Sequence, residues 1–151
     1  MERLALMSIK PKYGLEILRG RKKVELRGFV GEIASGDVVV LYLSSPVQAI
    51  GGEFRAGRIV FGVDEIKRFV ESLEDPGVDE EDWGYLVGRR KPMAIEVLDP
   101  VEYEVKVALR ALREEIPNFR PPLSYRLVKP AEPLYGAIER IRRMALKRPE
   151  I

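Results

Sequence analysis

The stretch SIKPKYGLEILRGRKKVELR, residues 8–27, decides how the rest of the chain is read. It starts inside an apolar run, LALMSI at residues 4–9, that stops at Lys10-Pro11 and reads as a short buried strand. Pro11 suits the first position of a helix, where its missing N–H costs nothing. Tyr13, Ile17 and Gly20 then share one helical side, with Leu15 and Leu18 beside them. Gly20 can take the left-handed conformation that closes a helix. After the basic step Arg21-Lys22-Lys23 the chain alternates, with Val24 and Leu26 on one face and Lys23, Glu25 and Arg27 on the other. That charged face is either water-facing or the wall of a pocket. For the pocket, Lys10 stands where a helix start already favours an anion. Lys22 and Lys23 stand near the other helix end, and Arg27 can grip a phosphate or carboxylate with two parallel hydrogen bonds.

Moving outward, Ser35-Gly36-Asp37 marks a turn before VVVLYL at residues 38–43, an uninterrupted apolar strand of the kind buried on both faces. It ends in Ser44-Ser45-Pro46, whose hydroxyls could serve a ligand. Residues 47–61 read as a strand broken by Gly51-Gly52 and Gly57, the bends a small barrel needs to close. Asp64 is expected to cap a helix carrying Ile66, Phe69, Val70 and Leu73 on one face. Residues 74–83 read as an acidic loop, anchored by Trp83 on the core or offering it as a stacking platform. KPMAIEVL at 91–98 reads as a strand ended by Asp99-Pro100, and 101–105 as a separate edge strand. A helix over 108–115, a Pro-rich approach to a last strand at Tyr125 and Leu127, and an amphipathic helix bearing Leu134, Ala137, Ile138, Ile141 and Ala145 complete the chain. The outer face of that last helix is expected to show Arg140, Arg142, Arg143, Lys147 and Arg148.

Composition narrows the chemistry. The 151 residues hold no cysteine, no histidine and no threonine, with a net charge of +2. Thiol nucleophiles, histidine triads, disulfides and the usual zinc sets are excluded. Acid–base work falls to Asp, Glu, Lys or Tyr. A carboxylate site for a hard cation stays open, but no metal site and no cofactor is assigned. At 33% charged residues with one Asn and one Gln, the chain resembles proteins from hot environments. Charge is uneven: residues 1–61 carry ten Lys/Arg against six Asp/Glu, residues 62–82 carry two against nine, and residues 118–151 carry eight against three. Two basic ends therefore flank an acidic insert, either as a solvated surface or as a basic face for phosphate. No apolar run approaches the ~18 residues of a membrane span. The opening MERLALMSIKPKY has no signal-peptide layout, so a soluble, cytoplasmic protein is expected, with no membrane partner.

In order, the strand, helix, Gly-x-Lys turn and Glu-x-Arg strand of residues 8–27, with Gly36-Asp37 before the next strand, resemble the ASCH domain of the PUA-like superfamily. The resemblance covers residues 4 to about 98. It implies an α+β fold: a small PUA-like β-barrel of five or six strands with helices covering its openings and a C-terminal helical extension. The barrel domain would occupy residues 1–106, and residues 107–151 would pack on it. The superfamily is associated with binding of RNA and modified nucleotides, and some small members are amidohydrolases of acetylated cytidine or ribonucleases. In the amidohydrolases a lysine after the glycine turn, a threonine on the next strand and a downstream glutamate form the active site. Here the lysine falls on Lys22, with Lys23 beside it. The threonine position falls on Glu25, a departure that favours binding over that chemistry. The acid would come from Asp79, Glu80, Glu81 or Asp82.

Three functions therefore stand side by side. The first is an RNA- or nucleotide-binding module with a cationic cleft between first helix and barrel, lined by Lys10, Tyr13, Lys22, Lys23, Glu25, Arg27, Ser44, Ser45 and Tyr125. The second is a hydrolase of a modified nucleoside or of RNA, with Lys22, Lys23 and Glu25 as its catalytic candidates. The third is a regulatory module for a small metabolite or a protein. Glu25 either pairs with Lys10 or Arg27 and orients them, or accepts a base amide hydrogen, or acts as a general base once buried. Tyr13 and Tyr125 could stack a base or simply be buried tyrosines with satisfied hydroxyls.

Overall fold

A computed structural model of the chain describes residues 1–146. Six strands form one curled sheet in the order β2-β5-β4-β3-β1-β6, a half-barrel, with five helices. The strands are β1 (Leu4–Ile9), β2 (Val24–Gly28), β3 (Val38–Leu43), β4 (Ala49–Phe61), β5 (Pro92–Ala108) and β6 (Tyr125–Val128). The helices are α1 (Pro11–Leu18), α2 (Val63–Glu71), α3 (Glu80–Leu86), α4 (Leu109–Glu115) and α5 (Pro133–Ala145). Only β1 and β3 pair in parallel; every other pairing is antiparallel.

The unalternating apolar strands serve two cores at once. Along β3, Val39, Leu41 and Leu43 enter one cluster with Ile17 and Leu18 of α1. Val38, Val40 and Tyr42 enter another with Leu112, Leu134 and Ile138 from the C-terminal helices. Period-two geometry divides a continuous apolar run between the two faces of the sheet. Val24 and Leu26 of β2 join a third cluster with Ile66, Phe69 and Leu86. Their alternates Glu25 and Arg27 are buried too, on the opposite face.

Curvature comes from register shifts. Between the pairs Glu53↔Val101 and Arg55↔Leu98, β5 advances one residue more than β4. Asp99-Pro100 is therefore a bulge within one long strand and not the strand end expected from the sequence; Pro100 donates no hydrogen bond and Asp99 takes a positive φ of 49°. The glycine pair in β4 lets layers meet. A Cβ on Gly52 would lie 2.4 Å from the Val101 carbonyl oxygen and 2.6 Å from a Leu18 methyl.

Three further expectations change. Asp64 does not cap α2: Gly62 precedes the helix, and Asp64 and Glu65 lie in its first turn, where the dipole favours them. The acidic stretch is not all loop, because Asp79 and Asp82 form a reciprocal capping box that starts α3. Arg142 does not show on the outer face of α5. It is 2% exposed and bonds Glu53 through Nε at 2.8 Å, and Glu53 also accepts from the Tyr103 hydroxyl at 2.7 Å. Arg140 and Arg143 are exposed, and Lys147 and Arg148 lie outside the described residues. No helix among the described residues is long and apolar enough to cross a membrane.

Candidate functional site

The half-barrel leaves a seam. β2 and β6 are the two ends of the sheet order, and no backbone ladder joins them. Side chains clasp the gap instead. The Arg27 guanidinium on β2 donates to the Ser8 carbonyl of β1 at 2.6 Å and to Ser124 Oγ at 2.9 Å. The Tyr125 hydroxyl on β6 receives the Val30 N–H at 3.1 Å and donates to the Gly31 carbonyl at 3.2 Å. Beside the Arg27 clasp lies a cavity of about 410 Å³.

Its wall is built in three steps. First, Lys10 precedes α1 at its N-cap, and Tyr13 follows one turn in, so both face the opening. Second, the turn after α1 is tied back by Lys22 N–H to the Glu16 carbonyl at 3.1 Å, which sends Lys22 inward. Adjacent residues of an extended chain point oppositely, so Lys23 points away and donates to the Glu74 carbonyl at 2.6 Å. Third, the Pro76-Gly77 turn docks on this same turn: Lys23 N–H donates to the Pro76 carbonyl at 2.8 Å. A Cβ on Gly77, whose φ is 76°, would overlap the Arg21 carbonyl at 2.1 Å. This close approach carries α3 over the cavity and sets its acids against the basic turn.

The electrostatic outcome is two closed pairs. Lys22 Nζ is hydrogen-bonded to Asp82 Oδ1, with side chains 3% and 9% exposed. Arg27 Nε donates to Glu25 Oε2 at 2.8 Å, with side chains 9% and 7% exposed. The Tyr13 hydroxyl donates to Glu81, which pushes the phenol up to about 12, and Lys22 Nζ sits 5.1 Å from the Tyr13 ring centroid. The Asp79 carboxyl is held below its ordinary range, chiefly by the Asp82 backbone N–H it accepts. Lys10, Lys22 and Arg27 thus face Glu25, Glu81 and Asp82. The expected cationic cleft is charge-balanced, and Lys10 is the cation on the wall without a carboxylate partner among the described residues.

The structure brings Lys10, Tyr13, Lys22, Glu25 and Arg27 to one cavity. It does not bring Lys23, Ser44, Ser45 or Tyr125 there. Tyr125 is buried in the core with its hydroxyl satisfied, so its ring offers no stacking face. Each of the three Arg27 guanidinium nitrogens donates to a protein oxygen, so the side chain is held in the seam and does not project as a phosphate clamp. Trp83 is half-buried against the third cluster. Reasoning from the sequence missed Tyr85 and Leu123 on the wall. The capping pair Asp79-x-x-Asp82 was the available signal, because a helix started there carries Glu81 and Tyr85 on one side, four residues apart.

No family model and no curated protein matches the chain. Solved structures do. ASCH from Zymomonas mobilis aligns over 90% of this chain and 94% of its own at 23% identity, with a TM-score of 0.75. A mutant of that protein aligns over the same shares at 22% identity and 0.74. A hypothetical protein from Leishmania major covers 98% of each chain at 15% identity and 0.57.

Proposed function

Proceeding from the ASCH fold of this chain, we propose that the seam cavity binds a nucleotide or nucleoside, free or within an RNA strand. The base lies against Glu25 and the Lys22–Asp82 pair, and a phosphate lies toward Lys10 and the start of α1. One observation carries this reading: the state of Glu25. Its Oε2 is held by Arg27, while Oε1 accepts from no protein group among the described residues. No side-chain polar atom fully shut from solvent lacks a partner among those residues, so Oε1 opens on the cavity. A buried carboxylate with a vacant oxygen needs a donor from the ligand or from water. The amino group of a nucleobase is such a donor. A volume of about 410 Å³ falls in the range of small-molecule cavities, roughly 300–1,000 Å³.

The paired charges limit the phosphate contribution. Because Lys10 is the cavity-wall cation without a carboxylate partner among the described residues, its one phosphate contact should contribute only a gentle log–log salt slope, near −0.7. Titration calorimetry with the four nucleoside monophosphates tests the reading. At least one should bind, and Glu25→Gln should weaken it about tenfold, since a hydrogen bond to a charged group is lost. Absence of binding by all four, or full affinity in Glu25→Gln, overturns it.

A second reading rests on the Lys22–Asp82 contact in the same wall. An ammonium held by a carboxylate, opposite a second carboxylate, offers both a proton donor and an acceptor for amide hydrolysis. Incubation with acetylated cytidine, followed by chromatography, decides it. Release of cytidine that depends on Lys22 supports hydrolysis, and none at high protein concentration removes it.

A further inference from the structure

The cavity has an outer rim that the nucleotide reading does not use. α3 has two sides. Residues two apart on a helix lie about 200° from each other, so Trp83 and Leu86 turn to the core while Tyr85 turns to the cavity. Tyr85 is 47% exposed. The Arg89 guanidinium lies over its ring, 4.1 Å from the centroid, and is held there by a hydrogen bond from Nε to the Tyr85 carbonyl at 3.1 Å. Arg90 and Lys91 follow, both exposed.

Leu123 is the other half of the rim. It lines the same cavity and is fully exposed. Its backbone is nonetheless fixed on both sides: Ser8 Oγ donates to the Pro122 carbonyl at 2.6 Å, and Ser8 N–H donates to the Ser124 carbonyl at 2.8 Å. Two prolines precede it and restrict the chain further. A leucine in water on a rigid rail, beside a half-exposed tyrosine already stacked with arginine, is an apolar contact with little ordering left to do on binding.

Resting on the nucleotide reading of the cavity, we propose that Tyr85, Arg89 and Leu123 form an outer subsite for the base next to the one inside. The ligand is then a single strand of at least two nucleotides and not a free nucleoside. A base stacks on an aromatic or guanidinium plane whatever its identity, so this subsite adds affinity without choosing the base. Arg90 and Lys91, exposed and next in the chain, would supply positive charge for the strand's next phosphate.

The experiment compares each nucleoside monophosphate with the matching single-stranded RNA tetramer, by fluorescence competition at fixed salt, in wild type, Tyr85→Ala, Tyr85→Phe and Leu123→Ser. Thermal unfolding confirms that each variant folds. Tetramers should bind at least tenfold tighter than the monophosphates. Tyr85→Ala should weaken the tetramer about fivefold or more, the low end for loss of one stacked base, and the monophosphate by a clearly smaller factor. Tyr85→Phe should retain tetramer affinity, and Leu123→Ser should weaken the tetramer more than the monophosphate. Monophosphate binding with no gain for the tetramer, or equal losses for both in Tyr85→Ala, overturns the outer subsite and leaves the cavity reading standing. No binding of either probe overturns both.

Discussion

Lys22→Met is the most informative single change, because it separates a buried ion pair from a surface one. Lys22 and Asp82 are 3% and 9% exposed, so solvent screens their attraction weakly. Exposed pairs couple by about 0.2–1 kcal/mol. Removing one member of a buried pair costs about 3–5 kcal/mol, since the other charge stays desolvated and unmatched. Asp82 cannot swing out freely, because its Oδ2 also accepts the Asp79 N–H at 3.0 Å in the cap of α3. Water in the adjoining cavity can approach, which places Lys22→Met at the lower end, about 3 kcal/mol. For a domain of this size each kcal/mol moves the melting temperature by roughly 2–4 °C, so a fall of about 6–12 °C is expected. Asp82→Asn keeps the cap acceptor and should cost about as much. The double variant should lose less than the sum of the singles, with a coupling of about 2 kcal/mol. Urea unfolding at pH 7, followed by circular dichroism, supplies all four corners of the cycle. Repeating it in 1 M salt should barely change the coupling, as screening acts mainly on exposed charges. Singles below about 1 kcal/mol with a coupling under about 0.5 kcal/mol would mean that the pair behaves as an exposed one, and the reading of Lys22–Asp82 as a desolvated pair would fail.

Three other outcomes are expected. Tyr13 should titrate near pH 12, with Glu81→Gln returning it toward 10; because the folded value is raised, its contribution to stability is complete below about pH 10 and is lost as pH climbs toward 12. Carbon NMR of ring-labelled tyrosine reads this directly, and a Tyr13 resonance unmoved by Glu81→Gln counts against the hydrogen bond. Arg142→Met should destabilise by about 3–5 kcal/mol, because Glu53 is 7% exposed and, among the described residues, keeps only the Tyr103 hydroxyl. The exposed neighbour Arg143→Met should stay within about 0.5 kcal/mol, and equal urea midpoints for the two variants would contradict the buried network. Gly52→Ala should cost about 1–3 kcal/mol through forced contact with β5 and α1. A Cβ on Gly31 meets nothing within 4 Å, so Gly31→Ala should be nearly neutral in the same urea unfolding assay, and a neutral Gly52→Ala would refute the close approach.

The amino-acid order by itself determined the parts whose information is local. Residues 4–9 and 38–43 announce strands buried on both faces, because an apolar run without alternation has no side to give to water. Pro11 and Gly20 mark the two ends of α1, and Glu25 and Arg27 share a face by simple alternation, so five residues of the cavity wall were legible before any fold was known. Composition removed whole classes of chemistry in the same way. What only the tertiary structure decided is whose charge meets whose. Lys22 and Asp82 stand 60 residues apart, Arg27 and Ser124 97, and Arg142 and Glu53 89. Lysine and arginine alternate between solvated and buried roles according to a partner that no local window contains, and a desolvated charge is tolerated only once that partner arrives. That is why Arg27 looked like a ligand clamp and is a clasp, why Arg142 looked exposed and is buried, and why an apparently basic cleft is neutral when its acids fold over it.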